Sequence, residues 1–264
     1  MFLQSTNVSG FGLTISVLLA LLVLYISYPL FGLAYIGGSI NLAESFTRPE
    51  TINAFLLSLG TATVSTLILS IFGIPLAYAL ARFHFRFKFL LRLVVILPLV
   101  LPPLASGTML LGVFGPYSFL GRIIPIDFTQ SVLGIIIAQT YVASPFIILP
   151  SQAAFEAVPE KYETMARVLG KKKSEVFFRV SLPLAKTGIL VGLLMAWIRS
   201  IGELGATLMM AYNPHTISIQ IFEDNAIGGI RNSVAGIAWV IILSIIALAI
   251  FLFLRRGHGN RLGW

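Results

Sequence analysis

Two opposite charges lie inside an otherwise apolar stretch of this 264-residue chain. Arg199 and Glu203 fall within residues 187–211, and their spacing places them on one face of a helix. Each charge costs about 2.5 to 3.5 kcal/mol at the centre of a membrane helix, so neither side chain is expected to face lipid. Two interpretations stay open: the pair locks helices together, or it lines or gates a path for an anion.

Prolines interrupt a second apolar stretch, LPLVLPPLASGTMLLGVFG. Pro98, Pro102 and Pro103 lack the backbone N–H that a helix uses, and Gly107 follows them. Lipid cannot satisfy the backbone groups that such a break releases, so they are expected to face protein or a water-filled path. A proline kink without a transport role is the alternative, because proline is common in membrane helices.

Catalytic side chains are scarce in these apolar stretches. The chain has no cysteine, and its three histidines, His84, His215 and His258, are expected in loops or in the tail. An intramembrane enzyme would need a catalytic dyad or a set of metal ligands at membrane depth. The sequence therefore predicts no catalytic residue and no metal site in this chain.

Apolar segments dominate the chain and must position the charged and proline-rich residues. Charged residues make up 11% of the sequence, against roughly one quarter in soluble domains. A helix of about 20 apolar residues crosses the hydrocarbon core. The sequence predicts an all-α membrane protein, one domain of residues 1–264, with six spans at residues 11–36, 52–81, 93–121, 128–155, 187–211 and 232–254. A cleaved signal is the alternative for the first span, although no Lys or Arg precedes it.

Basic residues collect on one side of the predicted membrane. Fourteen of the 18 Lys and Arg residues fall within residues 82–92, 161–186 and 255–261, whereas the opposite side holds only Arg48, Arg122 and Arg231. Because Lys and Arg near spans are retained in the cytoplasm, both termini are predicted to be cytoplasmic. The same rule accounts for the net charge of +8 without a nucleic-acid partner.

The longest polar stretch, AVPEKYETMARVLGKKKSEVFFRVSLPLAK, separates the fourth and fifth predicted spans. It predicts two short helices joined by a turn. The first helix is expected to end at Gly170. Its apolar stripe is formed by Tyr162, Met165, Ala166 and Leu169.

Ser174 is expected to cap the second helix, which begins at Glu175, and Pro183 to bend the chain before the fifth span. The apolar side of this helix is formed by Val176, Phe177 and Val180. A helix-turn-helix of this kind can dock on a partner protein. It can equally lie on the membrane surface, where the three lysines at 171–173 would meet anionic lipid.

This stretch resembles the cytoplasmic coupling motif of bacterial and archaeal ABC-importer permeases. The family pattern is Glu-Ala-Ala, three residues, Gly, nine residues and Ile-x-Leu-Pro. The matching residues are Thr164, Met165, Ala166, Gly170, Val180, Leu182 and Pro183. Thr164 and Met165 depart from the pattern, and Glu163, one residue earlier, is the candidate for the acidic role.

The two irregular apolar stretches resemble the molybdate, tungstate and sulfate branch of these permeases, in which LPLVLPP-type and Arg-x-x-Gly-Glu-Phe-Gly-Ala-type segments recur. Leu204 replaces the usual Phe. The resemblance covers residues 53–256 and implies a type I ABC-importer permease fold. It also implies a translocation path or gate formed by Pro98, Pro102, Pro103, Arg199, Glu203 and Gly205.

The resemblance further implies a homodimer around one central path, in the plasma membrane of a bacterium or archaeon. Two ATPase subunits would dock at the cytoplasmic coupling loop, residues 154–187, and an external binding protein would deliver the oxyanion. ATP and Mg would be bound by the ATPase, since this chain has no G-x-x-x-x-G-K-[ST] phosphate loop. Molybdate or tungstate is the expected substrate, with sulfate as the alternative, and an ion-coupled carrier or channel is a rival function.

Overall fold

A computed structural model describes residues 10–38, 45–124 and 126–259. The predicted domain of residues 1–264 therefore includes 1–9, 39–44, 125 and 260–264, which lie outside the described residues. The long helices are α1 (Gly10–Gly37), α2 (Pro49–Arg82), α6 (Val132–Ala157), α8 (Lys173–Ile201) and α11 (Ile230–Gly259). The shorter helices are α3 (Lys88–Val100), α4 (Pro103–Phe114), α5 (Phe119–Ile123), α7 (Glu160–Val168), α9 (Gly205–Met210) and α10 (Ile217–Gly228).

Six helical segments of the described chain are long and apolar enough to cross a membrane. Five of them are α1, α2, α6, α8 and α11, and the sixth, Pro103–Ile123, combines α4 with α5. The predicted all-α architecture with six spans is confirmed.

The third predicted span, residues 93–121, is interrupted, as its prolines predicted. The helix stops at Val100 and resumes at Pro103, and Leu101 and Pro102 between them are extended, with ψ angles of 137° and 136°. Each of these two residues precedes a proline, and the ring of a following proline disfavours the helical conformation. The consecutive prolines thus divide the span into α3 and α4.

The fifth predicted span, residues 187–211, is displaced toward the N-terminus. α8 begins at Lys173 and ends at Ile201, where Gly202 is its C-terminal cap. A separate short helix, α9, then begins at Gly205. Glu203 therefore lies in the break between α8 and α9 and not on a continuous helix.

The centre of the bundle is formed by α2, α6 and α8. Two glycines one turn apart on α8 face α6: an added Cβ at Gly188 would lie 2.5 Å from Cβ of Ala154, and one at Gly192 would lie 3.1 Å from the carbonyl oxygen of Ile147. Small residues of this kind let membrane helices approach closely. Phe155 of α6 is fully buried beside this contact.

α1 lies at the edge of the bundle. None of its most apolar stretch is buried, whereas half of the corresponding stretch of α6 is. Among the described residues, its main contact is with α11. Most of its surface is therefore available to lipid or to another protein chain.

Candidate functional site

The C-terminus of α7 confirms that Gly170 ends the first helix of the loop. Gly170 has a φ angle of 81°, a conformation that favours glycine. The N–H of Lys171 donates to the carbonyl of Ala166 at 3.1 Å, and the N–H of Gly170 donates to that of Arg167 at 3.0 Å. This pair of hydrogen bonds is the Schellman arrangement, which satisfies the last carbonyls of a helix.

Glu163 is buried, with 5% of its surface exposed. Its Oε1 accepts from Nε of Arg82 at 2.8 Å and from Oγ of Ser181 at 2.9 Å, and its Oε2 accepts from the hydroxyl of Tyr78 at 3.1 Å. The carboxylate therefore faces the bundle. We call this set the Glu163 cluster: Tyr78, Arg82, Glu163 and Ser181.

The Glu163 cluster joins four elements. Tyr78 and Arg82 belong to the last turns of α2, and Ser181 belongs to α8. Arg82 also donates from Nη2 to the carbonyl of Val158, the residue that caps α6, at 2.6 Å. Tyr78, Arg82 and Ser181 were not predicted as site residues from the sequence. They lie 85, 81 and 18 residues from Glu163 along the chain, and no local pattern links them.

The outer surface of α7 carries exposed apolar side chains. Met165 is 63% exposed, and Leu169, which caps the helix, is 81% exposed. Tyr162 and Thr164 are also exposed, and Ala166 of the predicted stripe is half-buried. Val168, which the predicted stripe did not include, adds a further exposed apolar side chain. The apolar stripe therefore lies on the side of α7 that this chain leaves uncovered.

The second half of the loop differs from the prediction. Ser174 is not the cap, because α8 begins at Lys173, and the carboxylate of Glu175 accepts from the backbone N–H of Lys172 at 3.2 Å. The second helix is not separate from the fifth span either. It continues into it through a π-helical turn, Phe177–Ser181.

The π turn lies beside Pro183. The N–H of Leu182 donates to the carbonyl of Phe177, five residues earlier, and Pro183 follows without an N–H of its own. A π turn inside an α-helix is rare and is frequent at functional sites. Val180 and Leu182 are half-buried here, and Pro183 is exposed.

The two interrupted helices contact each other. An added Cβ at Gly107 of α4 would lie 2.8 Å from Cα of Ala206 in α9, and one at Gly205 would lie 2.8 Å from Cβ of Pro103. The breaks before α4 and before α9 are therefore adjacent. Pro102 and Pro103 are exposed there, whereas Pro98 is buried in α3.

Glu203 is 1% exposed, and two groups compensate its charge. Its Oε1 accepts from the N–H of Ala206 at 2.7 Å, near the start of α9, and its Oε2 forms an ion pair with Arg199. The predicted contact between the two charges is present, although it runs across the end of α8. The Arg199 side chain is 26% exposed.

The described ranges, with their gaps at 39–44 and 125, contain no group of three or more His, Cys, Asp or Glu side chains that could hold a metal. His84 and His215 lie in loops, as predicted, whereas residue 258 lies in α11.

Six membrane helices, a polar loop with an exposed apolar stripe, and two interrupted helices in contact define a multi-pass membrane permease. The chain belongs to the family described as binding-protein-dependent transport system inner membrane component, which matches residues 71–257. Members of this family are components of transport systems.

Two relatives cover most of the chain. A probable molybdenum ABC transporter permease protein of Haloferax volcanii is 43% identical over 80% of this chain and 78% of its own length. A molybdate/tungstate transport system permease protein of Pyrococcus furiosus is 37% identical over 89% of this chain and 90% of its own length. The predicted resemblance to oxyanion permeases is confirmed.

A solved structure shares the fold. One chain of a bacterial alginate ABC transporter, crystallised with an alginate pentasaccharide-bound periplasmic protein, superposes with a TM-score of 0.72. The alignment covers 91% of this chain and 92% of that one at 18% identity, so it shows the fold alone. The expected ABC-importer permease fold is confirmed.

Proposed function

We propose that this chain is the membrane subunit of an ATP-driven importer of molybdate or tungstate. The observation that carries the proposal is the exposed apolar stripe on α7, in a family whose members are components of transport systems. The two relatives named for molybdenum, molybdate or tungstate support the choice of substrate. Sulfate remains the second candidate substrate.

The outer surface of α7 is the docking site for an ATPase subunit. Met165, Val168 and Leu169 form an apolar surface on a helix outside the six spans. An amphipathic helix with such a surface binds in an apolar groove of its partner. ATP and Mg are bound by that partner, and two copies of it act on one pair of permeases.

The adjacent breaks before α4 and α9 lie on the path of the anion. Pro102, Pro103 and Gly202 are exposed there, and Arg199 is partly exposed beside them. A guanidinium has five N–H donors, so an ion pair with Glu203 leaves others for a passing oxyanion. The path opens alternately to each side of the membrane as the ATPase subunits close and separate.

A second copy of this chain completes the path, and the uncovered surface of α1 supports this arrangement. An external binding protein delivers the oxyanion to the dimer. The excess of Lys and Arg at residues 82–92 and 161–186 supports a cytoplasmic location for the α7 side and for both termini.

Uptake into proteoliposomes tests the proposed function. The chain is reconstituted with its neighbouring ATPase and binding protein, and uptake of molybdate, tungstate and sulfate is measured with and without ATP. ATP-dependent uptake of molybdate or tungstate is expected. Preference for sulfate would change the substrate assignment, and flux without ATP would identify a carrier or channel.

The docking assignment is tested at Gly170, whose positive φ only some residues tolerate. Gly170→Val should distort the end of α7 and reduce stimulation of the ATPase by the loaded binding protein. Gly170→Asn is the matched control, because Asn adopts this conformation more readily than Val. Equal stimulation in Gly170→Val and the wild type would refute docking through α7.

A further inference from the structure

The Glu163 cluster occupies the inner side of α7, opposite the surface proposed to dock on the ATPase. Resting on that proposed function, we propose that this cluster is a rigid link, which transmits movement of α7 to the spans α2 and α8. Tyr78, Arg82 and Ser181 are thereby positioning residues for coupling. The cluster acts through contacts within this chain and does not bind nucleotide, anion or ATPase itself.

The burial of Glu163 argues against a direct contact with the ATPase. Its carboxylate accepts from three donors of this chain and is 5% exposed. An acidic residue that contacted the partner would lie on the exposed surface with Met165 and Leu169. Glu163 thus differs in position and in partners from a docking residue.

Burial of the ion pair makes the link stiff. The side chains of Arg82 and Glu163 are each 7% exposed. Separating a buried ion pair leaves two uncompensated charges, which costs far more than separating an exposed pair. The guanidinium of Arg82 also donates to the carbonyl of Val158. A rotation of α7 therefore moves the ends of α2 and α6 with it.

The π turn extends the link into α8. Ser181, fully buried, is the last residue of the turn, and its hydroxyl donates to Glu163. The ring of Tyr78 packs between Phe155 of α6 and Phe177 of the turn, with ring centroids 5.2 and 4.9 Å apart. Movement of α7 therefore reaches α8, the helix that ends beside Glu203.

Three substitutions test the link in the complex of permease, ATPase and binding protein. Glu163→Gln removes the charge, and Ser181→Ala and Tyr78→Phe each remove one hydrogen bond to Glu163. Glu160→Gln is the matched control, because Glu160 lies on the same helix and is exposed. The measurements are the amount of assembled complex, the ratio of ATPase rates with and without loaded binding protein, and the oxyanion taken up per ATP hydrolysed.

Glu163→Gln is expected to lower the stimulation ratio of the assembled complex by about fivefold or more, the usual size of a coupling between sites. Ser181→Ala and Tyr78→Phe should lower it less, and Glu160→Gln should match the wild type. A purely structural role would change the amount of complex and leave the ratio of the assembled fraction unaltered.

If all three cluster variants have the wild-type ratio of ATPase rates with and without loaded binding protein, the proposed link is wrong. If Glu163→Gln fails to assemble, Ser181→Ala and Tyr78→Phe decide the question, since both retain the ion pair with Arg82. An equal loss of stimulation in Glu160→Gln would also contradict the proposal, because the loss would then follow from any change of charge on α7 and not from the Glu163 cluster. A wild-type complex without stimulation would refute the proposed function and the link with it.

Discussion

Glu203 is a carboxylate buried in the break between α8 and α9, where an isolated charge is costly. The ion pair with Arg199 and the hydrogen bond from the N–H of Ala206 compensate it. Arg199, by contrast, is partly exposed and keeps donors free of Glu203. We therefore propose different roles for the two residues: Glu203 holds Arg199 in place and accepts from the start of α9, and Arg199 faces the proposed path of the anion.

Neutralising Arg199 tests this division of roles. Arg199→Gln removes a charge-assisted contact with the anion, worth about 1.5 to 3 kcal/mol, and should slow uptake about tenfold or more. Uptake by the double variant Arg199→Gln/Glu203→Gln should remain slow. Its two substitutions leave no unpaired charge, and Gln at position 203 still accepts from the N–H of Ala206, but the cation that contacts the anion is absent. Uptake in proteoliposomes is the measurement.

The matched control for Arg199 is Arg92→Gln. Arg92 and Glu156 are about half-exposed and 3.5 Å apart, and exposed pairs of this kind contribute little. Wild-type uptake is expected for this variant. Recovery of uptake in the Arg199 and Glu203 double variant would show that the pair is only structural.

The contact between Arg199 and Glu203 could be predicted from the sequence, whereas the Glu163 cluster could be predicted only in part. Arg199 and Glu203 are four residues apart, so their contact followed from local geometry. Glu163 was recognised by its place in the loop, but Arg82 is separated from it by 81 residues. Only the packing of α7 on α2 brings that pair together.

At the scale of elements, α4 and α9 meet without space for a side chain. Gly107 lies against the backbone of Ala206, and Gly205 lies against Pro103. Close backbone contact of this kind holds two short helices together within the membrane, where apolar side chains gain little by leaving lipid. The break in each span is thereby stabilised by the other.

Gly107→Ala is expected to weaken the contact between α4 and α9. Its Cβ would overlap backbone atoms of Ala206, and overpacking of this kind costs about 1 to 3 kcal/mol. Gly112→Ala on the same helix has nothing within 4 Å and should be neutral or stabilising by up to about 1 kcal/mol. Thermal unfolding of the purified protein in detergent measures both, and equal melting temperatures would contradict the contact.

The helices themselves were predictable to different degrees. The apolar lengths predicted α1, α2, α6 and α11, and Pro98, Pro102 and Pro103 predicted an interruption in the third span. The break at Gly202 was not predicted, because a glycine inside an apolar helix is common and carries no stop signal of its own.

At the scale of the whole molecule, the proposed orientation in the membrane rests on the charge distribution. Tyr117, after α4, and Phe87, before α3, are both exposed and lie at opposite ends of the segment formed by α3 and α4. The chain has no cysteine, so a single Cys introduced at either position is the only thiol of this subunit. Tyr117→Cys should react with a membrane-impermeant thiol reagent on intact cells, and Phe87→Cys only after the membrane is opened.

The opposite labelling pattern would place both termini outside the cytoplasm and would contradict the proposed side for ATPase docking. The reagent is applied to intact and to opened cells in parallel, and the cysteine-free wild type is the control for background labelling.

The sequence by itself determined that the described residues include six helices long and apolar enough to cross a membrane, that basic residues concentrate in a few loops, and that α7 has an apolar stripe and ends at Gly170. These properties depend on apolar length, charge and local backbone preference, which neighbouring residues specify. Only the tertiary structure decided that Glu163 faces the bundle, that α8 continues through a π turn, and that the two breaks touch. Those features are contacts between residues far apart along the chain, and they arise only when the helices pack.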